Sequence, residues 1–212
     1  MKVKEVFYSI QGESSYAGYP FAFIRLTGCN LRCNYCDTQY AFNDGTEMSI
    51  PEIMDIIEKY PTRFVLVTGG EPMLQESVYE LFQELLGREY TVLLETGGQI
   101  SLAQVDSRVH KIVDFKCPSS GMVAHNFYEN VNYLTMADEV KFVVADRQDF
   151  VWSCEIIKHY DLASRVSAVL FSPVHAELSH ADLAQWILDS GIPVRMQLQL
   201  HKIIWPDIQS GV

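Results

Sequence analysis

The sequence predicts an α/β fold in a single domain, residues 1–212, and three observations support this prediction. Near-continuous apolar runs of strand length recur along the chain, as is typical of parallel strands buried on both faces. Capped helical patterns lie between several of these runs, as βα units require. Glycine, proline and polar residues follow the runs at their carboxyl ends. Residues 97–110 and 117–138 carry little helical pattern, so a complete eightfold barrel is not expected.

Eight runs rich in β-branched or aromatic residues are predicted to be strands. In chain order they cover residues 3–10, 21–26, 64–67, 91–94, 111–115, 140–144, 168–171 and 194–200.

Capping residues predict the helices between these strands. Ser49 and Glu52 have the spacing of a capping box around Pro51, which indicates a helix to about Lys59. Gly87 is predicted to be the C′ glycine of a helix over 76–86. The other predicted helices cover 149–159 and 181–189, the second preceded by Ser179 and stopped by Gly191 and Pro193.

The composition favours a soluble, cytoplasmic enzyme. The net charge of -11 disfavours binding to a nucleic-acid backbone, which selects for a basic protein face. No apolar run approaches the ~18 residues of a membrane-spanning helix. Neither a signal peptide nor an interdomain linker is recognised in the sequence. We therefore expect no membrane or nucleic-acid partner.

Cys29, Cys33 and Cys36 have the spacing C-x3-C-x2-C. Three thiolates on one loop can ligate three irons of a 4Fe-4S cluster and leave the fourth iron open, whereas electron-carrying clusters usually have four Cys ligands. An open iron indicates chemistry. A zinc site is the alternative, but it normally has four ligands at paired short spacings. Cys117 and Cys154 lack such spacing and are expected to be ordinary thiols.

Six predicted strands are followed by residues able to bind a ligand. Because the carboxyl ends of parallel strands converge on one edge, we expect a single shared site there. The segments are Thr27-Gly28, Thr68-Gly69-Gly70-Glu71-Pro72, Glu95-Thr96-Gly97-Gly98, Lys116-Cys117-Pro118-Ser119-Ser120, Ser172-Pro173 and His201-Lys202.

The cysteine loop, within Gly28-Cys-Asn-Leu-Arg-Cys-Asn-Tyr-Cys-Asp-Thr-Gln39, resembles that of the radical S-adenosyl-L-methionine (SAM) enzymes. In those enzymes the amino and carboxylate groups of SAM chelate the open iron. Gly69-Gly70-Glu71-Pro72 resembles the superfamily's GGEP motif, which contacts the SAM amino group. The resemblance implies a partial, incomplete parallel α/β barrel with the cluster loop after its first barrel strand.

The amino-terminal residues narrow the resemblance to the 7-carboxy-7-deazaguanine synthase family. Its blocks are matched by Phe7-Tyr8-Ser9-Ile10-Gln11-Gly12-Glu13-Ser14, Phe23-Ile24-Arg25-Leu26-Thr27-Gly28-Cys29, Asp114-Phe115-Lys116-Cys117-Pro118, Glu139-Val140-Lys141 and Gln199-Leu200-His201-Lys202. Ser14 departs from the family, in which QGEG is usual. The resemblance implies conversion of 6-carboxy-5,6,7,8-tetrahydropterin to 7-carboxy-7-deazaguanine with loss of ammonia, on the route to queuosine and other 7-deazapurines.

The resemblance also implies the site residues, none of them a classical catalytic nucleophile because SAM carries the radical. The implied substrate-binding residues are Ile10, Gln11, Gly12, Glu13, Arg25, Thr68 and His201. The implied SAM-binding residues are Tyr35, Cys36, Asp37, Gly69, Gly70, Glu71, Glu95, Lys116, Pro118, Ser119 and Ser172. Cys29, Cys33 and Cys36 would hold the 4Fe-4S cluster, and Thr38 a magnesium ion.

Simpler roles remain open for three of these residues. Arg25 suits bidentate binding of a substrate carboxylate but equally a structural ion pair. His201 suits a substrate contact from the last strand but also an ordinary core position. Thr38 suits Mg2+, which takes few protein oxygens, and equally a helix N-cap, a role that Asp37 can also fill.

Partners and alternatives complete the sequence-based hypothesis. The family implies an external one-electron donor such as flavodoxin, and a homodimer. A glycyl-radical-enzyme activase shares the cysteine loop but gives no reason for Gln11, Glu13 and Arg25 before it. A non-catalytic zinc or iron-sulfur module is the alternative from a different class.

Overall fold

Nine strands form one continuous, open and mostly parallel sheet in a computed structural model that describes residues 1–212. The strand order is β3-β1-β2-β4-β5-β6-β7-β8-β9; β1 is antiparallel to both β2 and β3, and the other neighbours are parallel. The strands are β1 (Lys2–Ile10), β2 (Pro20–Leu26), β3 (Thr46–Glu47), β4 (Phe64–Gly69), β5 (Thr91–Thr96), β6 (His110–Asp114), β7 (Glu139–Val144), β8 (Ala168–Pro173) and β9 (Arg195–Met196).

Six helices connect or follow these strands: α1 (Ile50–Ile57), α2 (Val78–Gly87), α3 (Arg147–His159), α4 (Leu162–Arg165), α5 (His180–Ser190) and α6 (Leu200–Ile204). Ser49 and Glu52 form the predicted capping box at the start of α1. Gly191 ends α5 in the left-handed conformation, as predicted. The connections between β5 and β7 contain no α-helix, and the β6–β7 connection contains three short 3-10 helices, which agrees with the weak helical pattern there. None of these helices has the length and the apolar character of a membrane-spanning segment.

Alternation along the strands divides the apolar side chains between two faces of the sheet. In β4, Val65 and Val67 join the large core that includes the helices, whereas Leu66 joins a smaller cluster on the opposite, inner face. That inner cluster consists of Phe7, Phe21, Phe23, Leu66, Leu93 and Ile112. The architecture is therefore the expected partial α/β barrel, open between β3 and β9.

The predicted strand over 194–200 exists but is much shorter than expected. Only Arg195–Met196 pairs with β8, and the chain then turns into α6. The alternating apolar and polar residues suit a strand, but the side chains of Gln197 and Gln199 both donate to Glu13, far away in sequence. These contacts direct the chain away from the edge of the sheet after Met196.

The predicted role of Gly87 is wrong. Gly87 is the last residue of α2, and the left-handed residue that follows the helix is Glu89, with φ of 61°. Arg88 continues the helical hydrogen bonding, and its guanidinium pairs with Glu58 and Glu84. These ion pairs favour an end two residues later than the glycine suggests.

Candidate active site

A cavity of about 710 Å³ lies at the carboxyl ends of the parallel strands. Its wall includes strand-end residues of β4, β5 and β6, namely Gly69, Thr96 and Asp114. The loop after β2 and the segment that follows β9 also contribute to it. The strand ends therefore form the single shared cavity that the sequence predicts, and it is large enough for a cofactor and a small substrate together.

Cys29, Cys33 and Cys36 all line this cavity from the loop after β2, and each is half-buried. The loop is fastened by hydrogen bonds. The backbone N–H of Leu31 donates to the Cys29 Sγ at 3.4 Å, and the Tyr35 hydroxyl donates to the carbonyl of Val143 at 3.1 Å. The position of the cysteine loop is thus set by a contact with β7 as well as by hydrogen bonds within the loop itself.

The cysteine loop approaches the Gly69-Gly70 turn so closely that a side chain at residue 70 is excluded. A Cβ there would lie 2.1 Å from the carbonyl oxygen of Gly28 and 2.9 Å from the Cβ of Cys29. The Glu71 N–H donates to the same Gly28 oxygen at 2.7 Å. Glycine is therefore required where the motif meets the cysteines.

The donor set suits an iron-sulfur cluster. All three thiols are free, and soft thiolates are the ligands that such clusters select. No three His, Cys, Asp or Glu side chains converge on one point as the ligands of a single zinc ion would. A cube instead takes one thiolate at each of three separate irons. Burial raises the pKa of each thiol, so cluster binding must displace the thiol protons.

The buried carboxylate of Glu71 stabilises the cavity wall by accepting hydrogen bonds from neighbouring segments. It accepts hydrogen bonds from the Thr96 hydroxyl at 2.8 Å and from the N–H groups of Gly97 at 2.9 Å and Met73 at 3.0 Å. Burial raises its pKa, against the effect of these donors. The carboxylate thus joins the ends of β4 and β5, while the backbone of Gly69 and Gly70 remains at the cavity surface.

Five charged residues, which we call the charge cluster, lie along one side of the cavity: Glu13, Glu95, Asp114, Lys116 and Lys141. The Lys141 Nζ is 2.6 Å from Glu13 Oε2, 2.5 Å from Glu95 Oε1 and 3.7 Å from Asp114 Oδ2. The Lys116 Nζ is 2.9 Å from the same Asp114 oxygen. Every member has a partner of opposite charge, which offsets the cost of burial.

Arg25 forms the ion pair that the sequence left open and still faces the cavity. Its Nε donates to Glu5 Oε1 at 2.7 Å, and the Tyr40 hydroxyl donates to the same oxygen at 2.8 Å. Nε is the only guanidinium nitrogen of Arg25 with a hydrogen-bond partner in the protein. The two terminal nitrogens retain the fork that binds a carboxylate.

The segment after β1 brings Gln11, Gly12 and Glu13 to the cavity beside His201. A Cβ on residue 12 would lie 2.3 Å from the His201 Nδ1, so glycine permits the imidazole to pack there. Burial lowers the pKa of His201 and favours the neutral ring. His201 lies in α6 and not in a strand, which corrects the predicted element but not its place at the site.

Ser14 adopts a left-handed conformation with φ of 67° and is fully buried. This conformation explains why glycine is usual at the position in the family that the sequence resembles. The serine hydroxyl accepts a hydrogen bond from the Tyr16 N–H at 3.1 Å. The departure therefore leaves the turn and its neighbours Gln11 and Glu13 in place.

Thr38 does not cap a helix through its side chain. It precedes a 3-10 turn, Gln39–Ala41, without a side-chain cap hydrogen bond, and its hydroxyl donates to Asp37 Oδ1 at 2.8 Å. Asp37 in turn pairs with Lys202 of α6 at 3.0 Å. Burial opposes ionisation of Asp37, but Lys202 outweighs it and lowers the Asp37 pKa to about 2. The lone pairs of the Thr38 hydroxyl remain available to a cation.

Most of the sequence-predicted site residues line this one cavity, but Pro118, Ser119 and Ser172 do not. Ser119 contacts α3 instead, through its N–H to Asp149 Oδ1 at 2.9 Å. Ser172 is fully buried, and its hydroxyl has no hydrogen-bond partner. Their assignment to SAM stays a prediction.

Several residues that line the cavity received no role from the sequence: Tyr40 and Gln99, and also Asp114, Lys141 and Gln199, which stand in the matched family blocks. Lys141 did carry a signal, because a lysine inside the apolar run of β7 is buried only with a partner. Tyr40, Gln99 and Gln199 carried no comparable signal, since amide and phenol side chains are common on loops.

Comparison with known proteins agrees with this geometry. A protein-family model described as the radical SAM superfamily matches residues 23–163. The 7-carboxy-7-deazaguanine synthase of Chlorobaculum tepidum is 46% identical over 215 residues, covering 100% of this chain and 97% of that protein. The enzyme of the same name from Koribacter versatilis is 43% identical over 226 residues, covering 100% of both chains.

Solved structures share the fold. QueE from Escherichia coli has a TM-score of 0.74 at 20% sequence identity, with 93% of each chain covered. SuiB from Streptococcus suis, bound to S-adenosylmethionine, has a TM-score of 0.59 at 9% identity, covering 86% of this chain and 51% of that one.

Proposed function

The chain belongs to the radical SAM superfamily and, within it, to the 7-carboxy-7-deazaguanine synthases, and from this premise we propose what its cavity does. The protein converts 6-carboxy-5,6,7,8-tetrahydropterin to 7-carboxy-7-deazaguanine with loss of ammonia, a step towards queuosine. One observation carries the proposal: the three cysteines, Arg25 and the carboxylates of Glu13 and Glu95 share one cavity.

The residues divide the cavity between cofactor and substrate. Cys29, Cys33 and Cys36 hold a 4Fe-4S cluster, and Gly69 and Gly70 offer backbone to SAM at the adjacent strand end. When bound, the cluster and SAM supply the one-electron radical chemistry that removes a hydrogen atom from the substrate. The protein contributes position and exclusion of water.

The substrate is bound by complementary charge and hydrogen bonding. The terminal nitrogens of Arg25 bind its carboxylate, while Gln11 and Glu13 bind the amide and amino groups of the pterin edge. His201 and Thr68 complete the wall around it. Because His201 is held neutral, one ring nitrogen can donate and the other can accept.

The proposed function also includes a Mg2+ ion bound at Thr38. The Thr38 hydroxyl oxygen would bind the ion together with substrate oxygens and waters, since magnesium keeps several waters and takes few protein ligands. The hydroxyl lies at the cavity and uses its proton for Asp37, which supports this assignment.

The remaining proposals rest on the family resemblance. The 212 residues act as one domain, pair as a homodimer, and work in the cytoplasm with an external one-electron donor such as flavodoxin. Analytical ultracentrifugation tests the dimer.

Product formation tests the function directly. Protein reconstituted anaerobically with iron and sulfide is mixed with SAM, Mg2+, dithionite and 6-carboxytetrahydropterin, and the products are identified by mass spectrometry. We expect 7-carboxy-7-deazaguanine and ammonia. SAM cleavage without this product would favour the activase hypothesis, and a colourless protein holding one zinc and no sulfide would favour the binding module.

A further inference from the structure

Lys141 lies where three cavity carboxylates meet, and none of the roles assigned above uses it. Its side chain is 6% exposed, and its Nζ contacts Glu13, Glu95 and Asp114. Lys141 comes from β7, whereas Glu13 follows β1 and Glu95 belongs to β5. One ammonium group therefore joins three separate parts of the cavity wall.

The charges of this group depend on one another. Burial disfavours the ionised form of Glu95, but the charge of Lys141 and its hydrogen bond lower the Glu95 pKa. Burial likewise disfavours the charged form of Lys141, yet the carboxylates of Glu13 and Glu95 raise its pKa well above the usual value. The Lys141 ammonium and the Glu95 carboxylate thus stabilise each other's charged form, and Glu13 adds to the stabilisation of the ammonium.

Both carboxylates keep hydrogen-bonding capacity that the protein does not use. An ionised carboxylate has about four acceptor positions. Glu13 uses three of them, for Lys141 at 2.6 Å, Gln197 at 3.2 Å and Gln199 at 2.9 Å. Glu95 accepts only from Lys141 at 2.5 Å and, at 3.4 Å, from Thr68. The free positions suit a ligand edge with N–H donors.

We propose that Lys141 is a positioning residue that sets the preference of the cavity for a ligand edge with adjacent N–H donors. It fixes the carboxylates of Glu13 and Glu95 at the cavity wall and does not touch the substrate itself. The inference rests on the proposed function, which supplies a 2-amino-4-oxopyrimidine edge as the ligand.

No other cation in the cavity takes this position. Lys116 contacts Asp114 on the side of the cysteine loop, where its charge acts on Cys33. Arg25 pairs with Glu5. Lys141 alone contacts both Glu13 and Glu95.

Ligand preference, measured as binding, tests the inference without turnover. The probes are 6-carboxypterin, which carries the amino and amide donors, and 6-carboxylumazine, in which a carbonyl replaces the amino group. We expect the reconstituted protein to prefer 6-carboxypterin by about 10- to 100-fold in Kd, the size of a lost hydrogen bond to a charged group. Lys141→Met should abolish the preference, and Lys141→Arg should retain most of it, with SAM affinity unchanged in both.

Lys111→Met is the matched control. Lys111 lies on β6, the strand next to β7, and is equally buried. It pairs with Asp138 at 3.1 Å but does not line the cavity. This change should lower thermal stability and leave the ligand preference intact. If Lys141→Met does not fold, Asp114→Asn/Lys141→Met also removes an opposite charge, keeps Glu13 and Glu95 in place, and should show the same loss of preference.

The outcomes separate the inference from the function. Equal binding of the two probes by the unaltered protein, or an unchanged preference in the folded Lys141→Met or double variant, overturns the role of Lys141. If the unaltered protein still forms 7-carboxy-7-deazaguanine, the proposed function stands regardless. Absence of that product overturns the function itself.

Discussion

Arg25 contacts the protein through one nitrogen and leaves two for a ligand. Its ion pair with Glu5 and the cavity-facing fork are compatible, because Nε serves the first and the terminal nitrogens the second. At the scale of single residues, Arg25 therefore forms the structural ion pair through Nε and keeps its terminal nitrogens for a ligand carboxylate.

Arg25→Ala should raise the substrate KM by about 10- to 100-fold, because a charge-assisted contact contributes roughly 1.5–3 kcal/mol. SAM binding should be unchanged. Glu5→Gln is the control, since it weakens the ion pair but keeps the fork; its KM should stay within a few-fold of the unaltered value. Steady-state kinetics of both variants would refute the carboxylate role if their KM values changed equally.

Thr38→Ala should weaken the stimulation of turnover by Mg2+ while cluster absorbance and thermal stability stay nearly constant. Without a side-chain cap hydrogen bond, the hydroxyl contributes none of the ~1 kcal/mol of an N-cap. Thr38→Ser keeps the oxygen and should preserve the response. Magnesium titrations at equal cluster loading distinguish the variants, and superimposable curves for all three proteins would exclude the metal role.

Cys33→Ala should abolish the brown iron-sulfur absorbance or leave it labile, and should stop SAM cleavage, because each thiolate holds one iron. Cys117→Ala is the control. Cys117 is fully buried beside Ser153 and lies outside the cavity, so its loss should change stability and spare the cluster. Iron and sulfide analysis with absorbance measures both; full turnover by Cys33→Ala would contradict the cluster assignment.

At the scale of elements, helix ends show how tertiary contacts override a local stop signal. Both Gly87 and Gly191 follow a predicted helix, yet only Gly191 has a positive φ, of 61°. Gly87 is helical, and a Cβ there would meet no atom within 4 Å. Glycine is therefore expected to lower the stability of the protein at the end of α2 and to favour it at the end of α5.

Gly87→Ala should stabilise the protein by about 0.5–1 kcal/mol, since glycine costs that much inside a helix. Gly191→Ala should destabilise it by a similar or larger amount, because alanine is strained at positive φ. Chemical denaturation of both variants provides the measurement. Destabilisation by Gly87→Ala would show that residue 87 needs the freedom of glycine after all.

At the scale of the whole molecule, residues 11–19 tie the first strands of the sheet to the last. The N–H of Ser14 donates to Gln197 at 2.8 Å, that of Ser15 donates to Glu139 at 2.9 Å, and Arg195 donates to the Ser15 hydroxyl at 2.9 Å. In the sheet, three strands lie between β2 and β7, and four lie between β1 and β7. This segment therefore spans the inner face and stabilises the curvature of the partial barrel.

The contact between residues 11–19 and β7 depends on pH, because it involves the Glu139 carboxylate. Burial disfavours its ionised form, but the nearby His110 imidazole, 3.5 Å away, and the hydrogen bond from the Ser15 N–H lower its pKa below the usual 4.5. A lowered pKa in the folded state means that the stabilisation is fully present above about pH 4.5 and is lost as the pH falls through the folded-state value. Acidification should thus loosen the contact between the segment and β7.

Glu139→Gln should therefore lose less stability than the unaltered protein as the pH falls below about 4.5. Urea denaturation of cluster-free preparations measures this without interference from iron loss. Glu129→Gln, at an exposed glutamate, is the control and should follow the unaltered protein. Parallel pH curves for Glu139→Gln and the unaltered protein would contradict the linkage.

The sequence by itself determined what depends on neighbours along the chain. The spacing of Cys29, Cys33 and Cys36 places three thiols on one loop in any fold, and apolar runs bounded by turn residues define the parallel strands. The capping box of Ser49 and Glu52 likewise acts within one turn. Family motifs then identified the chemistry, because they record residues that meet in space.

Only the tertiary structure decided the features that join distant segments. Lys141 meets Glu13 across 128 residues, and Gln199 meets the same carboxylate across 186. Such pairs leave no periodic pattern, because a buried charge requires a partner but does not specify where in the chain that partner lies. For the same physical reason most of the last predicted strand became a turn and the helix of His201: a local preference of a few tenths of a kcal/mol per residue yields to buried hydrogen bonds of about 1 kcal/mol each.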